Sequence, residues 1–300
     1  MRSVIDNGKQ AAFLNVLISL RDSPPVLILL EILLFVTIAL SIGIIGNIAG
    51  IGGGIIIMIV LLFLLRIDPV TASGLSLVTI LASAAVGSAS NYRQHAINTR
   101  LLIAICIPAS LGVLLGSYLV VHFKDSYFNL IFSFVSISIG LFSLVVTNVD
   151  RRKNRIETGS FIERGSKTDL APSEKKNAGN VQHLFTFLAG IAGGFLGIGV
   201  GGIVGTYLTA VRKINPKIAF STVLSAMIFT SIIGSSFHLL AIKPIPDLLV
   251  LTISLATGAA IGGFLGSYIS SRIQFFKLRL AQGYIIVSLG LLTLLLTLVT

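Results

Sequence analysis

The chain has 300 residues, of which 54% are hydrophobic and only 11% charged. That is too little charge to cover a soluble fold of this length, so the sequence describes a polytopic membrane protein. Its net charge of +11 would suggest nucleic acid in a soluble protein, but the basic residues gather in a few loops, as the positive-inside rule expects, and no nucleic-acid partner is anticipated.

In chain order, residues 1–25 carry Arg2 and Lys9 ahead of the short apolar run Ala11–Leu20. This reads as an interfacial segment. A cleaved signal peptide is the weaker reading, because Arg21, Asp22, Pro24 and Pro25 follow where a small-residue cleavage site is needed. The first transmembrane unit, 26–149, opens with an apolar stretch from Val26 to Leu65 that is broken midway by "GNIAGIGGG" (Gly46–Gly54), and continues with three spanning segments, 70–92, 101–121 and 127–148. The middle one holds Cys106, the single cysteine, so a disulfide framework or cysteine metal cluster is excluded within one chain. A polar linker over 150–182, with "RRKNR" and "PSEKKN", reads as flexible. The second unit, 183–300, opens with Leu184–Val211, broken at "GGFLGIGVGG" (Gly193–Gly202), and adds spans 217–241, 248–270 and 280–299.

The two units are copies. A shift of 147 residues lays Gly50, Ile51, Gly52 and Gly54 on Gly197, Ile198, Gly199 and Gly201, Pro69 on Pro216, Ala72 on Ala219 and Gly87 on Gly234. A shift of 150 then lays "LLGSYL" (114–119) on "FLGSYI" (264–269) and Gly140 on Gly290. With the linker cytoplasmic, alternation puts sixteen Lys and Arg residues inside against Arg66, Lys124 and Lys243 outside. Both flanks of Leu184–Val211 are then cytoplasmic. Its 28 residues make about 42 Å of helix, whereas two crossings need about 60 Å, so a hairpin of two short helices turning inside the membrane is expected. The halves then run oppositely through the bilayer. The expected fold is an all-α polytopic membrane protein of two inverted repeats, each a Gly-broken helical hairpin plus three transmembrane helices.

A turn inside the bilayer is tolerated only where protein or a water-filled cavity receives the freed backbone groups. Glycine permits that turn and lets a ligand approach the backbone. A helix starting just after each motif would aim its free N–H groups and about half a positive charge at mid-membrane, so two such ends make an anion site. The candidate substrate-binding residues of the motifs are Asn47, Gly50, Gly52, Gly53 and Gly54 in the first half and Gly197, Gly199, Gly201 and Gly202 in the second. "LLGSYL" and "FLGSYI", uninterrupted within their segments, read as close helix packing instead.

The paired stretches "AGIGGGIIIMIVLLFLLRIDPVTASGLSL" (49–77) and "LGIGVGGIVGTYLTAVRKINPKIAFSTVL" (196–224) resemble the TauE/SafE sulfite exporter family over nearly the whole chain apart from the N-terminus and linker. The resemblance implies a plasma-membrane permease for small anions such as sulfite, sulfonates and related organosulfur or carboxylate anions. Where the family pattern reads Thr-Ser-Leu, this chain has Thr222, Val223 and Leu224 in the second half and Leu75, Ser76 and Leu77 in the first. Each half thus keeps one of the two hydroxyls.

Further candidate residues are Ser73, Ser76, Thr79, Ser83 and Asn91 in the first half, and Ser221, Thr222, Ser225 and His238 in the second. Ser76, Thr79 and Ser83 fall on one helical face, and His238 takes the repeat position of Asn91. No Asp or Glu lies near the middle of a spanning segment, which argues against a proton or cation pump. No HExxH or GxSxG motif appears, so no catalytic residue, metal or cofactor is expected. The expected partners are a small anionic substrate and the lipid bilayer, with homo-oligomerisation left open. An intramembrane enzyme or a lipid-phosphate-handling protein is the alternative, since helix N-termini would bind a phosphate headgroup equally well.

Overall fold

A computed structural model describes residues 25–48, 52–93, 97–123, 125–157, 172–241, 248–270 and 275–299; the N-terminal interfacial segment, Gly50 and the middle of the linker lie outside these. The described residues are helical without strands. The order is α1 (Pro25–Ile48), α2 (Gly54–Ile59, running on as a π-helical turn Val60–Leu64), α3 (Pro69–Arg93), α4 (Thr99–Val121) and α5 (Asp125–Glu157), then α6 (Pro172–Phe195), α7 (Gly201–Ala210), α8 (Pro216–Ala241), α9 (Leu248–Ser270) and α10 (Phe275–Val299). Among the described residues six helices are long and apolar enough to cross a membrane.

The expected breaks are present, but the hairpins are not made of two short helices. Each is a 24-residue helix, α1 or α6, followed by a piece of half-membrane length, about 15 Å for the ten residues of α7 at 1.5 Å per residue. At the two ends of the linker α5 runs on to Glu157 and α6 starts at Pro172. These ends are rich in Lys, Arg and Glu, which favour helix, and proline suits a first helical position.

The halves repeat in detail. Gly52 N–H donates to Gly46 O at 3.1 Å and Gly199 N–H to Gly193 O at 3.4 Å. At the far end of each half-helix Ile67 N–H reaches Leu61 O (2.9 Å) and Ile214 N–H reaches Leu208 O (3.0 Å), each around a basic residue in the left-handed region, Arg66 (φ 52) and Lys213 (φ 51). Asp68 and Asn215 then cap the following helix, accepting from Thr71 N–H and Lys217 N–H, both at 3.0 Å.

Packing obeys the same exchange. α1 on α9 is matched by α6 on α4, and α3 on α9 by α8 on α4, while α3 pairs with α8 and α5 with α10, each a helix with its own repeat counterpart. Leu77 meets Gly234 at one end of the α3–α8 pair and Leu224 meets Gly87 at the other, so these two helices are antiparallel. So are α5 and α10, where Gly140 faces Val287 and Gly283 faces Leu144. Each of these two pairs thus joins repeat counterparts that run in opposite directions.

Small residues set the distances between helices. A Cβ on Gly116 would collide with the Ile191 carbonyl of α6, and one on Gly266 would stand 2.6 Å from the Ile44 carbonyl of α1. The "LLGSYL" and "FLGSYI" glycines are thus packing glycines. Outside, α4 exposes Ile103, Ile107 and Leu111, and α9 exposes Ile253, Ile261 and Phe264, an apolar coat suited to lipid. α3 and α8, the most buried of the six, carry Ser73, Ser76, Thr79, Ser83, Ser221, Thr222, Ser225 and Thr230 into the interior. The bundle is apolar outside and hydroxyl-rich within.

Candidate functional site

The two breaks meet against α3 and α8. Gly52 (φ 75), Gly53 (φ 79), Gly197 (φ 65) and Gly199 (φ 71) are all in the left-handed region, which a side chain would strain. Gly54 of the first break packs on the carbonyl of Ile198 in the second, so closely that a Cβ there would collide with it. Beneath both lie Ile80 of α3 and Met227 of α8, themselves repeat counterparts. A Cβ on Gly199 would stand 2.8 Å from Met227 Cε and 3.4 Å from Ile80 Cδ1, and Gly52 faces the same two side chains. The sequence reading did not single out Ile80 and Met227, although the repeat shift superposes them.

Hydroxyls reach the breaks from one side. Ser76 Oγ donates to the Gly197 carbonyl at 2.6 Å and lies 3.5 Å from that of Gly54, tying both breaks to α3. Ser73 sits one turn earlier against Gly197, fully buried, and its Oγ has no partner. In the second half the corresponding positions hold Phe220 and Val223, so α8 offers apolar groups where α3 offers hydroxyls. Gly201 and Gly202 open α7 and are buried. The first bond within that helix system is Val204 N–H to Val200 O, at 3.0 Å, so the N–H groups of Gly201, Gly202 and Ile203 precede it and lack helical acceptors.

The other candidates are not brought to the breaks. Thr79 turns its hydroxyl to Leu75 O on its own helix, at 2.7 Å. Thr222, expected to supply the second half's hydroxyl, accepts from Asn98 N–H (3.1 Å) at the start of α4. Ser225 pairs with Ser88 at 2.6 Å, and the Ser221 carbonyl accepts from Ser225 at 3.0 Å. Asn91 lies half-buried near the end of α3. His238 is fully buried and its Nε2 donates to the Gly194 carbonyl at 3.3 Å. Asn47, within the first motif but in the last turn of α1 ahead of the turn glycines, bonds to Ser83 of α3.

The profile of the family described as "Sulfite exporter TauE/SafE" matches residues 35–294. The chain is 25% identical over 269 residues to the "Probable membrane transporter protein YunE" of Bacillus subtilis (strain 168), an alignment covering 87% of this chain and 96% of that one. No solved structure matches. The matched span runs from within α1 to within α10 and so holds both breaks and every helix between them. This chain is a multi-pass membrane transporter rather than an enzyme, and it belongs to the sulfite exporter TauE/SafE family.

Proposed function

We propose that the chain is a permease for small anions, of the sulfite, sulfonate and related organosulfur or carboxylate class, and that the anion binds where the two breaks meet. The observation that carries this reading is the convergence at the second break of three features: the N-terminus of α7, the turn Gly197–Gly199 with its left-handed glycines and the unpartnered Ser73 hydroxyl. Backbone N–H groups, the positive end of a helix dipole and a free O–H donor are all suited to negative charge. None of the buried described residues is acidic, so nothing there repels an anion. Recognition by dipoles and hydroxyls without a fixed cation favours charge over a particular shape, in keeping with a class of anions.

In this reading a pseudo-twofold axis lies in the membrane plane and the repeats are inverted. The support is parity. A hairpin that enters and leaves on one side adds no net crossing, three spanning helices add an odd number, and the antiparallel α3–α8 and α5–α10 pairs agree. Ile80 and Met227 close over the breaks from opposite halves, so alternate withdrawal of the two would open the site to one side at a time. Uptake of radiolabelled sulfite into proteoliposomes, with competition by a sulfonate and by a carboxylate, tests the proposal. Saturable uptake is expected, and its absence for all three anion types would sink the reading.

A further inference from the structure

A second polar constellation stands beside the first break, with chemistry opposite to that of an anion site. Asn47 lies in the last turn of α1, next to Gly46, whose carbonyl closes the break. Its Nδ2 donates to the Gly43 carbonyl at 2.9 Å and to Ser83 Oγ of α3. This fixes the amide, because the flipped form would set two oxygens against each other. Oδ1 therefore faces the other way, buried and without a partner. Ser267 Oγ of α9, only 4% exposed, also lacks a partner. Both oxygens overhang Gly87, where a Cβ would stand 2.8 Å from Oδ1 and 2.7 Å from Oγ. Ser83, one turn earlier on α3, packs on Gly263 of α9, where a Cβ would be 2.5 Å from its carbonyl, and holds the amide from its donor side.

Two helices, α1 and α9, thus deliver unpartnered neutral oxygens to one place over α3. An amide oxygen only accepts, so it repels an anion and attracts a cation or a donor. The carbonyl end of α1, carrying the negative end of its dipole, terminates there too. Hard oxygen ligands without a carboxylate suit a monovalent cation; a divalent ion is usually held by carboxylates. We infer that the two unpartnered oxygens, of Asn47 and Ser267, bind a sodium ion that travels with the anion. The ion at the carbonyl end of α1 and the anion at the amide end of α7 would then lie on opposite sides of the joined breaks, each offsetting the other's charge. The second half has no equivalent: the corresponding positions are Gly194, Thr230 and Ser117, so the amide oxygen is missing and one ion per chain is expected.

The coupling rests on the anion reading, but the cation site can be tested apart from it. Thermal unfolding of the purified full chain is measured without any sulfite, sulfonate or carboxylate, in sodium chloride against choline chloride at equal ionic strength. A saturable stabilisation by sodium is expected, and Asn47→Ala and Ser267→Ala should each raise the half-saturating concentration at least ten-fold, whereas Ser117→Ala leaves it unchanged. Ser267 makes no protein hydrogen bond, so a purely structural serine would leave the sodium response intact. That result, or equal stability of the parent in the two salts, overturns the site and leaves a buried water as its occupant. Sodium stabilisation without uptake of sulfite, a sulfonate or a carboxylate would sink the anion reading alone; anion uptake without sodium stabilisation would sink the cation site alone.

Discussion

Ser76 and Ser73, one turn apart on α3 and both fully buried, should respond in opposite ways to loss of the hydroxyl. Ser76→Ala removes a 2.6 Å bond and leaves the Gly197 carbonyl without that donor inside the protein. Leaving such a group unsatisfied costs about 1–3 kcal/mol, or roughly 5- to 150-fold in the unfolding equilibrium at about 1.4 kcal/mol per decade. Ser73→Ala removes a hydroxyl that already has no partner, so the folded protein without ligand should be as stable as the parent or slightly more so. If that hydroxyl is the donor kept for the anion, its loss should appear only with substrate, as a several-fold weaker sulfite-dependent stabilisation. Thermal unfolding of both variants with and without sulfite, beside proteoliposome flux, separates these effects. Equal destabilisation of the ligand-free variants would refute the reasoning, because it would give Ser73 a structural bond. An unaltered sulfite response in Ser73→Ala would remove it from the site.

The break glycines should also be unequal. Gly52→Val and Gly199→Val each place a β-branched residue at positive φ, with strain of about 1–3 kcal/mol, and each meets the movable end of Met227; both should fold, but Gly199→Val should lose sulfite flux more completely. A folded Gly199→Val protein that transports at the parent rate would defeat the site assignment. Single cysteines at 160–166 in a Cys106→Ala background should resist an impermeant thiol reagent in intact cells, and ready labelling from outside would invert the proposed topology.

Much of the architecture was legible because backbone requirements repeat in the sequence. Asp68-Pro69 and Asn215-Pro216 mark the starts of α3 and α8, since a short polar cap followed by proline at the first helical position is a local signal. The glycine motifs marked both breaks for an equally local reason, and positive φ is found at four of the glycines they contain. The lengths of α1 and α6 were less legible. Hydropathy reports where a membrane begins, not where a helix does, and α6 starts in the polar "PSEKKN".

Side-chain direction was the harder matter. Thr222 and Val223 are neighbours in the motif, but successive residues are about 100° apart around a helix of 3.6 residues per turn. Val223 therefore takes the position of Ser76, and Thr222 turns to Asn98. Reading the motif as a string gave each half one hydroxyl for the site, whereas the structure puts both Ser73 and Ser76 on α3. Ser267 was hidden differently. It lies inside "LGSY", where Gly266 does pack against α1, and only the placement of α3 beside α9 brings its hydroxyl over Gly87.

These differences between the halves matter more for transport than their likeness. A site on the axis of two identical halves would present the same groups from both sides, and a ligand there would have two equivalent poses. Here α3 supplies Ser73, Ser76 and Ser83 where α8 supplies Phe220, Val223 and Thr230, and α1 has Asn47 where α6 has Gly194. The second break is therefore lined by hydroxyls from the first half, while the first break has an amide oxygen beside it. Duplication fixed the geometry, two breaks and two dipoles meeting in one place. Divergence then gave that place a polar side and an apolar side, so that in the proposed mechanism the anion leans on α7 and α3 and the cation on the end of α1. Opening by Ile80 or by Met227 would consequently expose different groups, and the two directions of transport need not be equivalent.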